Sequence, residues 1–226
     1  MIFDLFRNGF SIELLINLCA RLFVLFCVLP VHEFAHALIA TKLGDQTSRL
    51  AGRLTLNPLA HLDVFGTLMI VLVGFGYAKP VPVNNRNFKN PRGGMAITAA
   101  AGPVSNLLMA FVYMFFYVLI FAKAHPVSGS FAYLMMLFLQ IVAQINISLA
   151  VFNLIPVPPL DGSRILTLLL PKKYYYKVMQ YERYIVLAVL ALVVFGVLDR
   201  PMAIATGFFS NLILKLAALP FGLRVG

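Results

Sequence analysis

Charge is scarce in these 226 residues: 12% are Asp, Glu, Lys or Arg, and only 8 residues are acidic. Histidines number 4 and cysteines 2. With 61% hydrophobic residues and a mean hydropathy of +0.90, this shortage excludes a soluble globular domain and predicts a polytopic membrane protein with the lipid bilayer as its surroundings. The two cysteines, Cys19 and Cys27, fall in one predicted helix about 12 Å apart along the axis, which excludes a disulfide and leaves them as packing residues. The formal charge of +10 gathers in a few loops. Retention of positive loops on the inner face accounts for it, and no nucleic-acid partner is implied. Internal repeats, low-complexity tracts and soluble-domain segments are lacking too, so a single membrane domain over 1–226 is expected. The first apolar stretch is too long for a cleaved signal and has no small-residue cleavage site, so it should remain in the mature chain.

Against this background one stretch stands out, PVHEFAHALIA at 30–40. His32 and His36 are four apart, so a helix puts both imidazoles on one face about one turn apart, the spacing of two zinc ligands. Glu33 follows His32 directly, where the HExxH pattern places the group that takes a proton from the attacking water. Ionisable side chains at hydrocarbon depth are costly unless they face a partner, a metal or water, which marks these residues as functional.

Around that stretch the pattern predicts a helix over 11–43 ending at Gly44, with a kink at Pro30 and with Arg21 facing the interior or snorkelling. In the polar loop 45–61, RLTLN alternates like a strand and Asn57-Pro58 reads as a turn. The apolar, glycine-containing segment 64–78 is flanked on both sides by basic residues, so re-entry fits the charge better than a span. Helices follow over 94–122 and 131–155, the latter carrying Gln140, Gln144, Asn146 and Asn153. The chain breaks at PVPPLDG, resumes as helix at 162–170, and ends in a helical pair at 184–198 and 202–219. The fold class is therefore all-α and membrane-embedded, about five to six transmembrane helices with a small β or re-entrant element. Most Lys and Arg fall on one face, which places the catalytic half of the first helix toward the cytoplasm.

A catalytic zinc takes three protein ligands and an open position. Asp161 is a candidate third ligand, because prolines break the helix there at membrane depth; the alternative is a capping Asp in a structural turn. His61, Asp63 and His125 are rivals.

HEFAH at 32–36, AGPVSN at 101–106 and FNLIPVPPLDG at 152–162, in that order and each in an apolar segment, resemble the site-2 protease family of intramembrane zinc metalloproteases. GRLTLNPLAHLD followed by YAKPVPVN is similar to the family's compact prokaryotic branch, without an inserted PDZ domain. The resemblance implies one catalytic Zn2+ held by His32, His36 and Asp161, with Glu33 as general base. It also implies a catalytic core at about 11–170, a C-terminal helical pair at about 184–219 and a prokaryotic cell membrane as the location. The implied reaction is hydrolysis of peptide bonds in or near transmembrane segments of membrane-protein substrates, that is, regulated intramembrane proteolysis. Asn153, Asn106, Gly102 and, within the substrate-receiving region 49–60, Asn57 are implied on the substrate side. A metal-ion transporter using the same ligands is disfavoured by Glu33 and by an outer half nearly free of polar residues. A silent scaffold binding transmembrane helices is disfavoured because every expected catalytic residue is present. No feature specifies an oligomeric state.

Overall fold

The computed structural model describes residues 11–63, 79–168 and 180–223. Ser11 starts the first helix, α1 (Ile12–Phe23), by accepting a hydrogen bond from Leu14 N–H at 3.2 Å, as an N-cap does. From α1 the chain passes without a break through a π-helical stretch, Val24–Val28, into α2 (Leu29–Lys42). The kink expected at Pro30 takes this form for a local reason. Pro30 has no N–H for the carbonyl four residues back and its ring crowds that carbonyl; a wider turn just upstream, in which Leu29 N–H bonds Val24 C=O, makes room. The helix stops where its sequence says it should: Leu43 N–H bonds Ile39 C=O at 3.0 Å and Gly44 turns the chain at φ 110°.

Two single-turn helices, α3 (Thr47–Leu50) and α4 (Pro58–His61), follow in the polar loop. The strand expected over RLTLN is not formed, since Arg53–Asn57 joins no ladder. Its polar groups are used locally instead. The Arg53 guanidinium donates to Ala60 C=O, His61 Nε2 donates to Thr55 C=O at 2.8 Å, and Asn57 caps α4 by accepting from Leu59 N–H at 3.1 Å. Alternation without a neighbouring strand to pair with does not make a sheet. The expected re-entrant segment 64–78 lies outside the described residues.

The centre of the bundle is the hairpin of α5 (Pro91–Ala124) and α6 (Phe131–Asn153), capped by Asn90 and Ser130. Small residues let them approach closely. Ala110, Met114 and Val118 of α5 meet Ala143, Ile147 and Val151 of α6, and α9 (Asp199–Ala218) closes this core with Ile213, Ala217 and Ala218. On the other side Ala20, Val24 and Val28 pack on Val142. Between α6 and α9 come α7 (Asp161–Ile165) and α8 (Glu182–Val194).

Among the described residues four helices are long and apolar enough to cross a membrane: Ile12–Lys42, Pro91–Ala124, Phe131–Asn153 and Asp199–Phe221. The described residues are thus all-helical, with four such helices; any further span of the expected five or six would lie outside them. At the expected span 184–198 the helix is α8, Glu182–Val194, of 13 residues, fewer than the ~20 a membrane crossing needs. Cys19 and Cys27 are both exposed, so they face away from the bundle and are not packing residues. Arg21 Nε donates to Asn17 Oδ1 one turn back, at 3.2 Å.

The end of α2 is tied to the loop before α5 by Asp45, which is fully buried. Its carboxylate accepts from Thr47 N–H and Oγ1 (3.1 and 2.5 Å), from Asn84 N–H (2.7 Å) and from Asn87 Nδ2 (2.7 Å). Burial pushes the Asp45 carboxyl up, and the bonds from Thr47, Asn87 and Asn84 outweigh it, leaving the group below the usual carboxylate range. The folded-state value is the lower one, so the stabilisation is present above the unfolded carboxylate pKa of ~3.9 and is lost as pH falls through the folded value. With hydrogen bonds to a charged group contributing about 1.5–3 kcal/mol each, Asp45→Ala should free the turn at Asn85–Asn87. Trypsin at pH 8 should then cut after the exposed Arg86 at least ~10-fold faster in the variant. Equal cutting rates would show that the tie does not hold the loop.

Candidate metal centre

Helix geometry brings His32 and His36 together one turn apart on α2, both buried, with ring centroids at 4.7 Å and Nε2 atoms at 3.1 Å. Asp161 arrives from the other end of the core. The PVPPLDG turn folds back on the end of α6 so tightly that a Cβ on Gly162 would strike the Leu154 carbonyl and come within 2.5 Å of Ile155 O. Asp161, the first residue of α7, is thereby aimed inward. Its Oδ2 lies 3.5 Å from His32 Nε2 and 3.3 Å from His36 Nε2. These three residues are the group among the described residues whose ligand atoms could hold a metal ion.

The triangle has the size zinc requires. Zinc–nitrogen and zinc–oxygen bonds of ~2.0–2.1 Å in a tetrahedron separate neighbouring ligand atoms by about 3.3–3.4 Å, against the 3.1, 3.3 and 3.5 Å found here. His36 Nδ1–H donates to Thr98 C=O at 2.7 Å, which fixes the tautomer and turns the Nε2 lone pair to the centre. Lone pairs and a carboxylate oxygen held this close repel one another unless a proton or a cation lies between them. The backbone of α5 forms one wall. A Cβ built on Gly102 would lie 2.6 Å from His32 Nε2 and press against His36 Nε2, so only glycine leaves the cradle open.

Glu33 is half-buried on α2, about 100° around the helix from His32, and lies outside the ligand triangle. Asn153, the last residue of α6, donates one amide N–H to Leu149 C=O at 3.0 Å. Asn106 is completely buried one turn beyond Gly102. Asn57 is exposed and spends its oxygen on the cap of α4. The rival ligands stand apart from the group: His61 turns to Thr55 C=O, and neither it nor Asp63 joins the triangle. His125 is exposed at the far end of α5, about 40 Å along the helix from Thr98. Thr98 is the contributor that sequence reasoning missed, and it had no signal to give, because it acts through its backbone carbonyl.

Comparison with known proteins agrees with the geometry. The model of peptidase family M50 matches residues 20–136 and 121–197, spans that contain every residue of the centre. Three similar relatives carry the name "Putative zinc metalloprotease". YwhC of Bacillus subtilis is 47% identical over 154 residues, 68% of this chain and 70% of the relative. Rip2 of Mycolicibacterium smegmatis is 34% identical over 59% of this chain and 51% of its own length. MJ0611 of Methanocaldococcus jannaschii is 31% identical over 60% of this chain and 62% of its own length. No solved structure matches the chain. A buried His-His-Asp triangle sized for zinc within apolar helices, and a family match that spans it, lead to one conclusion: the chain belongs to peptidase family M50, the site-2 protease family, and is an intramembrane zinc metalloprotease.

Proposed function

We propose that His32, His36 and Asp161 hold the catalytic zinc, that Glu33 is the general base, and that the substrate is a transmembrane segment of another membrane protein. The observation that carries this reading is the 3.1–3.5 Å triangle of ligand atoms on the wall made by Gly102. Bound zinc supplies a polarised scissile carbonyl and a water acidified toward pKa ~7. Glu33 takes the proton of the attacking water and delivers it to the amide nitrogen as the C–N bond breaks. Thr98 C=O keeps the His36 ring in place throughout. The second N–H of the Asn153 amide, beyond the one bonded to Leu149, is the donor offered to the developing oxyanion. The space over Gly102, which the resemblance implied for substrate, is taken by the two imidazoles, and the exposed amide of Asn57 offers a substrate contact at the entrance.

A substrate helix must unwind first, since its carbonyls are internally bonded. Thr98 lies seven residues inside the start of α5, so the centre is about 10 Å from that helix end. Lys42, Arg49, Lys79, Arg86 and Lys89 are exposed around the same end, which by the positive-inside rule faces the cytoplasm and admits water. The chain is one domain whose core is about 11–170 and whose C-terminal pair is about 184–219.

The test is cleavage of a panel of single-span proteins by purified enzyme in liposomes. Metal-stripped enzyme should be inactive, and about one equivalent of zinc should restore it. Cleavage that survives complete stripping would overturn the assignment, and zinc crossing the vesicle wall without cleavage would favour the transporter.

A further inference from the structure

The two histidines of the centre are not held alike. His36 Nδ1–H has Thr98 C=O at 2.7 Å, whereas His32 Nδ1 is buried with no partner in the protein. A ligand imidazole whose second nitrogen is unanchored is free to rotate and to change tautomer. The Cε1–Nε2 edge of His32 lies against α5 at Gly102, so that helix is the nearest place to look for a partner. His36 bonds Thr98, and the Cβ position of Gly102 touches both rings, so α2 and α5 run antiparallel there. His32, one turn before His36, therefore faces the turn of α5 after Gly102.

That turn presents Asn106. It lies on the same face as Gly102, with Cβ positions four residues apart about 6 Å from each other, and the Gly102 position is 2.6 Å from His32 Nε2. Asn106 is completely buried, and neither Nδ2 nor Oδ1 of its amide has a protein partner. Buried polar groups without partners are rare and ordinarily share an ordered water. A donor at His32 Nδ1 and an acceptor at Asn106 Oδ1 are complementary, and one water between them would satisfy both.

We infer that Asn106 is a positioning residue for the zinc centre, holding His32 through one buried water between His32 Nδ1–H and the amide oxygen. The resemblance placed Asn106 on the substrate side; its complete burial assigns it to the wall behind the metal. The inference rests on His32 being a zinc ligand, as proposed above.

The test is zinc affinity, measured by competition with a chromogenic chelator, with thermal stability of the metal-free protein alongside. Asn106→Leu keeps the shape and removes the polar atoms, so the metal-free protein should be as stable as wild type or more so. Its zinc affinity should fall ~10–100-fold, as for loss of other second partners of metal-bound histidines. Asn106→Asp supplies an anionic acceptor and should bind zinc more tightly than wild type. Wild-type affinity in Asn106→Leu, or a raised KM at unchanged affinity, would overturn the inference, the latter returning Asn106 to the substrate. If Asn106→Leu does not assemble, Asn106→Asp decides alone: tighter binding supports the water-bridged hold, and unchanged or weaker binding overturns it. Failure of wild type itself to bind zinc would instead be failure of the proposed centre.

Discussion

Replacing Gly102 by alanine should abolish zinc binding and cleavage while leaving the helical bundle standing. The added methyl would sit 2.6 Å from His32 Nε2 and against His36 Nε2, closer than non-bonded atoms come. The rings cannot step aside without cost, because His36 is tied to Thr98 C=O and both are buried. The cradle between the ligand atoms is therefore filled or pulled apart. The helix itself is not the casualty, since alanine is favoured over glycine in a helix interior by ~1 kcal/mol. Zinc affinity should drop by more than about 100-fold, beyond the ~10–100-fold typical of losing an outer partner, while the metal-free protein, strained by the displaced rings but helped by the helix preference, still unfolds cooperatively at a modestly lowered melting temperature. Metal analysis and thermal unfolding of one preparation check both halves. Stoichiometric zinc in Gly102→Ala would show that the wall is not where the structure puts it.

Glu33→Gln should give the opposite pattern, a protein with its zinc in place and almost no activity. Glu33 is outside the His32–His36–Asp161 triangle, and glutamine keeps its shape, so the ligand atoms are undisturbed. What would be lost is the carboxylate proposed to accept and return a proton, a role that contributes ~10²–10⁴-fold in rate. Asp161→Asn is the informative partner, since it changes the atom proposed as the third ligand, 3.3 and 3.5 Å from the imidazoles, and should lose metal and activity together. Single-turnover cleavage in liposomes, normalised to zinc content, separates the two cases. If Glu33→Gln cuts within a few-fold of wild type, another group moves the proton.

Much of this was legible in the sequence because it depends on spacing. The four-residue interval of His32 and His36 needs only a helix to bring the two rings together, and the proline-broken LDG turn is where the chain folds back to bring Asp161 beside them. Glycine at 44 is a local signal, and the first long helix ends there, whereas the helix expected over 94–122 starts earlier, at Pro91, because Asn90 caps it. What stayed hidden depends on tertiary contact or on atoms every residue has. Thr98 acts through its carbonyl, and Asp45 matters because a loop 39 residues away donates to it. RLTLN alternates like a strand but bonds within its own loop through His61 and Asn57, and no local pattern distinguishes those outcomes.

The wide turn at Val24–Val28 has a consequence for how the first long helix is read. A helix is a screw in which each residue advances ~100°, so a uniform one can satisfy two neighbours only if both happen to demand the same phase. Here they do not have to. Upstream of the splice, Ala20 and Val24 keep the seam with Val142 of α6; downstream, His32 and His36 meet Gly102 and Thr98 of α5. Deleting one residue from 24–28 would restore an even thread and swing the histidines through about a quarter turn relative to the seam, so the extra residue is what lets a single helix keep time with two partners.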